Sequence, residues 1–162
     1  SDLLSKSDCK MAKIAAPNDQ DQPRENHNGA AVQRFLESMP IFAHYGARVV
    51  GFTAGASELE LLWRRELTFD GATIQAGVSA ALMDFAGGSA AATLLPAGWG
   101  IMTTGYEVHN TAPALGERLI ALGQAIHMGK RTGLARADVF VEQHGERTLC
   151  ASGLVTTQAV AP

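Results

Sequence analysis

Thr73-Ile74-Gln75-Ala76-Gly77-Val78-Ser79-Ala80-Ala81-Leu82-Met83-Asp84-Phe85-Ala86-Gly87-Gly88-Ser89-Ala90-Ala91-Ala92-Thr93-Leu94-Leu95-Pro96 is the stretch on which the reading of this chain turns. It predicts one long, almost wholly apolar helix closed by Pro96, whose ring cannot continue it. Asp84 is the only charged residue between Asp70 and Glu107. An ionised carboxylate inside a buried helix costs several kcal/mol unless it is paired, hydrogen-bonded or at work. Asp84 is therefore either satisfied by a neighbouring backbone or side chain, or a working group, and residue type alone leaves both open.

Its helical neighbours are all very small. Ala80 and Ala81 lie one turn back, Gly87 and Gly88 one turn forward. Each interior glycine costs roughly 1 kcal/mol relative to alanine. The space they leave is expected to hold a ligand, or the backbone of another element packed very close. Val78, Leu82, Phe85 and Ser89 make a second stripe that faces a core.

Upstream of this helix, Val32–Leu36 reads as a short helix ending before Pro40. Ala47–Ala54 and Glu58–Trp63 then read as a hairpin turning at Gly55-Ala56. Downstream, Gly100–His109, Arg118–His127, Leu134–Glu142 and Arg147–Thr157 read as strands, with alternation cleanest in the third. The short turns between them predict an antiparallel meander. A helix that is apolar on most faces must be wrapped, and a sheet curling round it does so most economically. The expected class is α+β, with residues 1–28 as a polar N-terminal arm and 29–162 as a single domain. The arm carries no long apolar segment of the secretory kind.

The 162 residues are 46% hydrophobic and 18% charged, enough to bury one substantial core. The net charge of -3 and the lack of a basic stripe interleaved with aromatics argue against nucleic acid and anionic membranes as partners. Asp84 and the glycines make the central helix a poor membrane span. Cys9 and Cys150 stand far apart, which favours a reducing, cytoplasmic setting over a disulfide framework. The five histidines are scattered without metal-ligand spacing, so no metal site is expected.

With these elements in place, the region from Phe35 to Thr157 resembles the hotdog-fold acyl-CoA thioesterase superfamily, in its PaaI-like (phenylacetate-pathway) branch. The resemblance rests on the element order, on Gln75-Ala76-Gly77 followed by Asp84, on Thr111–Glu117 joining two strands, and on Gly129-Lys130-Arg131-Thr132. In the family these correspond to a His-Gly-Gly followed by an acid on the central helix, a Pro-Ala-x-x-Gly-Asp connection and a basic turn.

The resemblance implies hydrolysis of a small or aryl acyl-CoA thioester without a cofactor, at a site on the interface of a homodimer or a dimer of dimers. Asp84 would be the nucleophile or the general base, and burial would raise its pKa and make it a better base. The N–H of Ala76, with Gly77 beside it, would be the oxyanion donor at the helix N-terminus. Lys130, Arg131 and Thr132 would meet coenzyme A phosphates, and Gly88 and Ser89 would lie against the substrate. His109 and Asn110, near a strand end, are further candidates for reaching the site. Two departures stand out. Gln75 replaces the family histidine, so it can donate a hydrogen bond but shuttle no proton. Ala76 replaces the first glycine, keeping the N–H but narrowing the space above it. In addition, Phe69 stands where some family members carry an Asn or Gln, and the Gln75 and Phe69 departures favour the alternative of a non-catalytic acyl-CoA-binding protein. A thioester dehydratase or hydratase fits less well, because no histidine lies near Asp84 in sequence.

Overall fold

The computed structural model describes residues 28–162. Within them two short helices, α1 (Gly29–Ser38) and α2 (Pro40–Tyr45), precede the hairpin β1 (Ala47–Thr53) and β2 (Ala56–Leu62). The central helix α3 (Ala76–Ala92) follows, and then β3 (Gly100–Asn110), β4 (Arg118–Met128), β5 (Thr132–Gln143) and β6 (Glu146–Val160). The strands form one six-stranded antiparallel sheet whose inner face lies on α3. Leu59, Leu119, Ala121, Ala137, Val139, Ala151 and Val155 are fully buried. The expected α+β architecture, a sheet around a long apolar helix, is what forms. The arm assigned to residues 1–28 lies outside the described residues except for Asn28, which is buried in the body.

Two expectations are corrected. The strands are not a simple meander: their order is β1-β2-β4-β5-β6-β3. β3 pairs with β6 at the far edge, and the Thr111–Glu117 connection carries the chain back across to β4. Strand pairing at this distance along the chain leaves no local sequence signal. The helix is also shorter than the Thr73–Pro96 stretch, running 17 residues. At its start the Ile74 N–H donates to the Ala114 carbonyl at 3.0 Å, which holds Ile74 in extended bridges to Thr68 and Ala114. At its end Leu94 and Leu95 close tighter i→i−3 bonds to Ala91 and Ala92. The Asn28 side-chain amide then takes the Leu95 and Pro96 carbonyls at 2.8 and 3.2 Å. The helix thus ends against the first residue of the described chain, and α1 is anchored beside it.

The small residues of α3 are used by the sheet. A β-carbon on Gly123 would lie 2.2 Å from the Ala86 carbonyl oxygen, so helix and β4 approach at backbone distance there. Ser57 and Ser89 both donate to that same carbonyl, at 2.7 and 3.1 Å. At Gly87 the space is taken by Val155, and at Gly88 by Ile101. The neighbours of Gly87 and Gly88 are thus side chains of β6 and β3 and not the backbone expected of a packed element, and Gly88 also lines a cleft.

Candidate active site

Asp84 lies midway along α3, two turns beyond its N-terminus, and is partly buried. Facing it across the helix–sheet gap is Thr103 of β3, whose hydroxyl donates to Asp84 Oδ1 at 2.8 Å. No described residue forms a salt bridge with Asp84. Burial pushes its pKa above the ordinary carboxylate value, and the Thr103 hydrogen bond pulls back against that rise without cancelling it.

Asp84 and Thr103 form part of the lining of a cleft of about 530 Å³ between α1, α3 and the start of β3. Its walls are chiefly apolar: Phe35, Leu36 and Met39 from α1 and its end, Phe85 from α3, Trp99 and Ile101 from the opposite side. Phe42 fixes Phe85 from behind, in an edge-to-face contact with ring centroids 5.3 Å apart. Along the walls the Ser89 hydroxyl already donates to the Ala86 carbonyl, and the Asn28 amide to the carbonyls that end α3. An apolar group can enter beside a carboxylate of raised basicity.

Of the residues expected to act together, the structure brings Asp84, Gly88 and Ser89 to this cleft. Gln75, Ala76 and Gly77 sit at the exposed N-terminus of α3, about 12 Å up the helix from Asp84 at 1.5 Å per residue. There the Gln75 side chain accepts the Gly77 N–H at 2.6 Å, a helix cap made by the residue standing at the family's histidine position. Lys130 and Arg131 lie on the β4–β5 connection and Thr132 opens β5, at the other end of the molecule. Gly133 beside them reaches Ala91 near the C-terminus of α3, and Arg131 accepts the Ala159 N–H at 2.7 Å. One chain therefore does not gather the helix start, the carboxylate and the basic turn around one point.

His109 pairs with Glu107 at 2.9 Å on the exposed far part of β3 and stands away from the cleft. Cys150 is buried, and burial lifts its thiol to about 11, so it is no ready nucleophile. Among the described residues no group of three or more His, Cys, Asp or Glu gathers in a way that could hold a metal ion. No described helix is long and apolar enough to cross a membrane. Thr103 was missed from sequence. Its only signal was its place in an alternating strand, where Ile101 and Thr103 point inward, and nothing local says which helix residue it faces.

Solved structures with this architecture include a thioesterase-family protein from Silicibacter pomeroyi at 26% identity and a TM-score of 0.78, covering 81% of this chain and 96% of that one. A protein of the thioesterase superfamily is 30% identical at a TM-score of 0.70, covering 80% of this chain and 96% of its own. The chain belongs to the hotdog-fold thioesterase superfamily. The E. coli PaaI protein, from the phenylacetic acid degradation operon, shares the fold at 15% identity and a TM-score of 0.73, over 86% of this chain and 96% of its own. No family model and no curated protein matches the sequence. Among the described residues, the one carboxylate of raised pKa lies on the central helix, at the opening between that helix and β3.

Proposed function

We propose that this thioesterase-superfamily protein hydrolyses an acyl-CoA thioester, with Asp84 as the reacting carboxylate. One observation carries the reading: a carboxylate without a cationic partner among the described residues, held by a single hydroxyl, at the side of an apolar cleft. Desolvation makes this group a better base than a solvated aspartate. It acts in one of two ways. It attacks the thioester carbonyl, expelling the coenzyme A thiolate and leaving an anhydride that water opens. Otherwise it takes a proton from the water that attacks. Either route yields the free acid and the thiol. Thr103 is a positioning residue: its hydroxyl orients Oδ1 and leaves Oδ2 for the reaction.

The oxyanion donor in this reading is the N–H of Ala76, since Gln75 occupies that of Gly77. Because Ala76 and Asp84 lie two turns apart on one helix, a second copy supplies the donor. The working unit is then a homodimer or a dimer of dimers, with Lys130, Arg131 and Thr132 meeting coenzyme A phosphates. The capping role of Gln75 favours a second reading, a protein that binds acyl-CoA without turning it over. Release of free thiol from a panel of acyl-CoA substrates decides between them. Turnover that collapses in Asp84→Asn, with the fold intact, supports hydrolysis. Binding without turnover supports the second reading, and turnover unchanged in Asp84→Asn removes Asp84 from the mechanism.

A further inference from the structure

The cleft beside Asp84 has a chemistry that narrows the acyl group. We propose that it takes an unsubstituted hydrocarbon acyl chain of medium length, hexanoyl to decanoyl, with α1 as the wall that sets the length. This rests on the reading of Asp84 as the reacting carboxylate. With the thioester carbonyl at Asp84, the chain runs along Phe35, Leu36, Met39, Trp99 and Ile101. A volume of about 530 Å³ is of the size that encloses a small organic ligand and far more than an acetyl group fills.

Along that path most side-chain donors are spent, the Trp99 indole N–H excepted. Asn28 holds two backbone carbonyls, Ser89 holds a third, and Thr103 holds Asp84. A hydroxyl at the far end of the chain would lose its water and find at most the Trp99 indole N–H in exchange. A terminal carboxylate would do so while sharing the cleft with Asp84, a like charge in an apolar surrounding. The α1 wall is held at one end by the Asn28 amide and at the other by the turn into α2 at Pro40. Between these points it presents Ala31 and Phe35, both exposed and both part of the lining. They are the positions where bulk changes the cleft without disturbing the core.

The test is thiol release by the full chain from acetyl-, butyryl-, hexanoyl-, octanoyl-, ω-hydroxyoctanoyl- and adipoyl-CoA. The expected kcat/KM climbs at least about tenfold from acetyl to octanoyl, as each buried methylene adds to binding. The ω-hydroxyoctanoyl and adipoyl substrates fall at least about tenfold below octanoyl and hexanoyl. Ala31→Trp moves the optimum toward butyryl, and Phe35→Ala flattens the length dependence. A flat or acetyl-first profile, or a preference for adipoyl, overturns the proposal and leaves thioester hydrolysis standing. If no substrate releases thiol, the hydrolytic reading fails instead, and binding alone tests the cleft. The fluorescence of Trp99 in a Trp63→Phe protein is then titrated with octanoyl-CoA and acetyl-CoA. Tighter octanoyl binding supports the proposal, and equal affinity overturns it.

Discussion

Asp84 and Glu142 are both carboxylates withdrawn from water, and the protein treats them in opposite ways. Glu142 lies on the outer face of the sheet, only 8% exposed. Arg118 Nε donates to it at 2.7 Å and Arg147 Nε at 3.1 Å. Arg118 also reaches Glu60, which Arg48 holds at 2.6 Å, so the network spans five strands. Arg118 and Arg147 hold the Glu142 carboxyl below its ordinary value. Among the described residues Asp84 has an apolar cleft and one hydroxyl, and burial moves its pKa the other way. On the proposed reading of Asp84, the difference teaches where chemistry is kept. A carboxylate locked between two guanidinium groups is a weak base and serves the sheet, whereas one denied a cation retains the basicity that proton transfer or attack requires.

The largest effect expected from this comparison is on turnover. Asp84→Asn should lower kcat at least about 100-fold, the scale of a lost general base, while Glu142→Gln leaves kcat within error. Equal losses in the two variants would break the comparison. Next comes the hydroxyl. Thr103→Val should cost about tenfold in kcat, in line with one hydrogen bond to a charged group. It should also move the acid limb of the pH–rate profile upward, since the hydrogen bond that lowers the Asp84 pKa is gone. Thr103→Ser should restore both, whereas a purely structural role for Thr103 would leave the acid limb where it was.

Stability should separate the two carboxylates by sign. The folded pKa of Asp84 lies above its unfolded value, so ionisation costs the folded state. Relative to Asp84→Asn, the wild type should lose stability as pH rises from 3.8 through the folded pKa, and hold no penalty below that window. The folded pKa of Glu142 lies below its unfolded value. Relative to Glu142→Gln, the wild type should be more stable above pH 4.5 and lose that advantage as pH falls through the folded pKa. Denaturant melts of both pairs across the acid range check the two slopes, and parallel slopes would remove the contrast. The smallest effect concerns salt. The Glu142 contribution should shrink in high salt, because Arg118 and Arg147 stay partly exposed, while the Asp84 difference changes little.

Much of the fold was legible in the chain itself. The alternation of Ala135, Ala137, Val139 and Val141 marks β5 because side chains along a strand point to opposite faces. The turn at His144-Gly145, where both residues have positive φ, follows from a Gly-containing pair between two apolar runs. Asp84 stood out because a lone charge in an apolar helix is costly wherever that helix packs. The site was legible only in its carboxylate. Gln75 could be seen to replace a histidine, but not to spend its side chain capping Gly77. Lys130 and Arg131 could be seen as a basic turn, but not to lie at the far end of the helix from Gln75.

The sequence by itself therefore determined the elements, the central helix and the one carboxylate inside it, because propensity, periodicity and the cost of burying charge all act over a few residues. Only the tertiary structure decided that β3 crosses to the edge beside β6, that Thr103 meets Asp84, that Asn28 ends α3 and that α1 walls the cleft. Each of these joins residues 19 to 67 positions apart, or strands that do not follow one another. Such pairings are selected by the packing of the whole sheet on the helix, and no single stretch of the chain carries them.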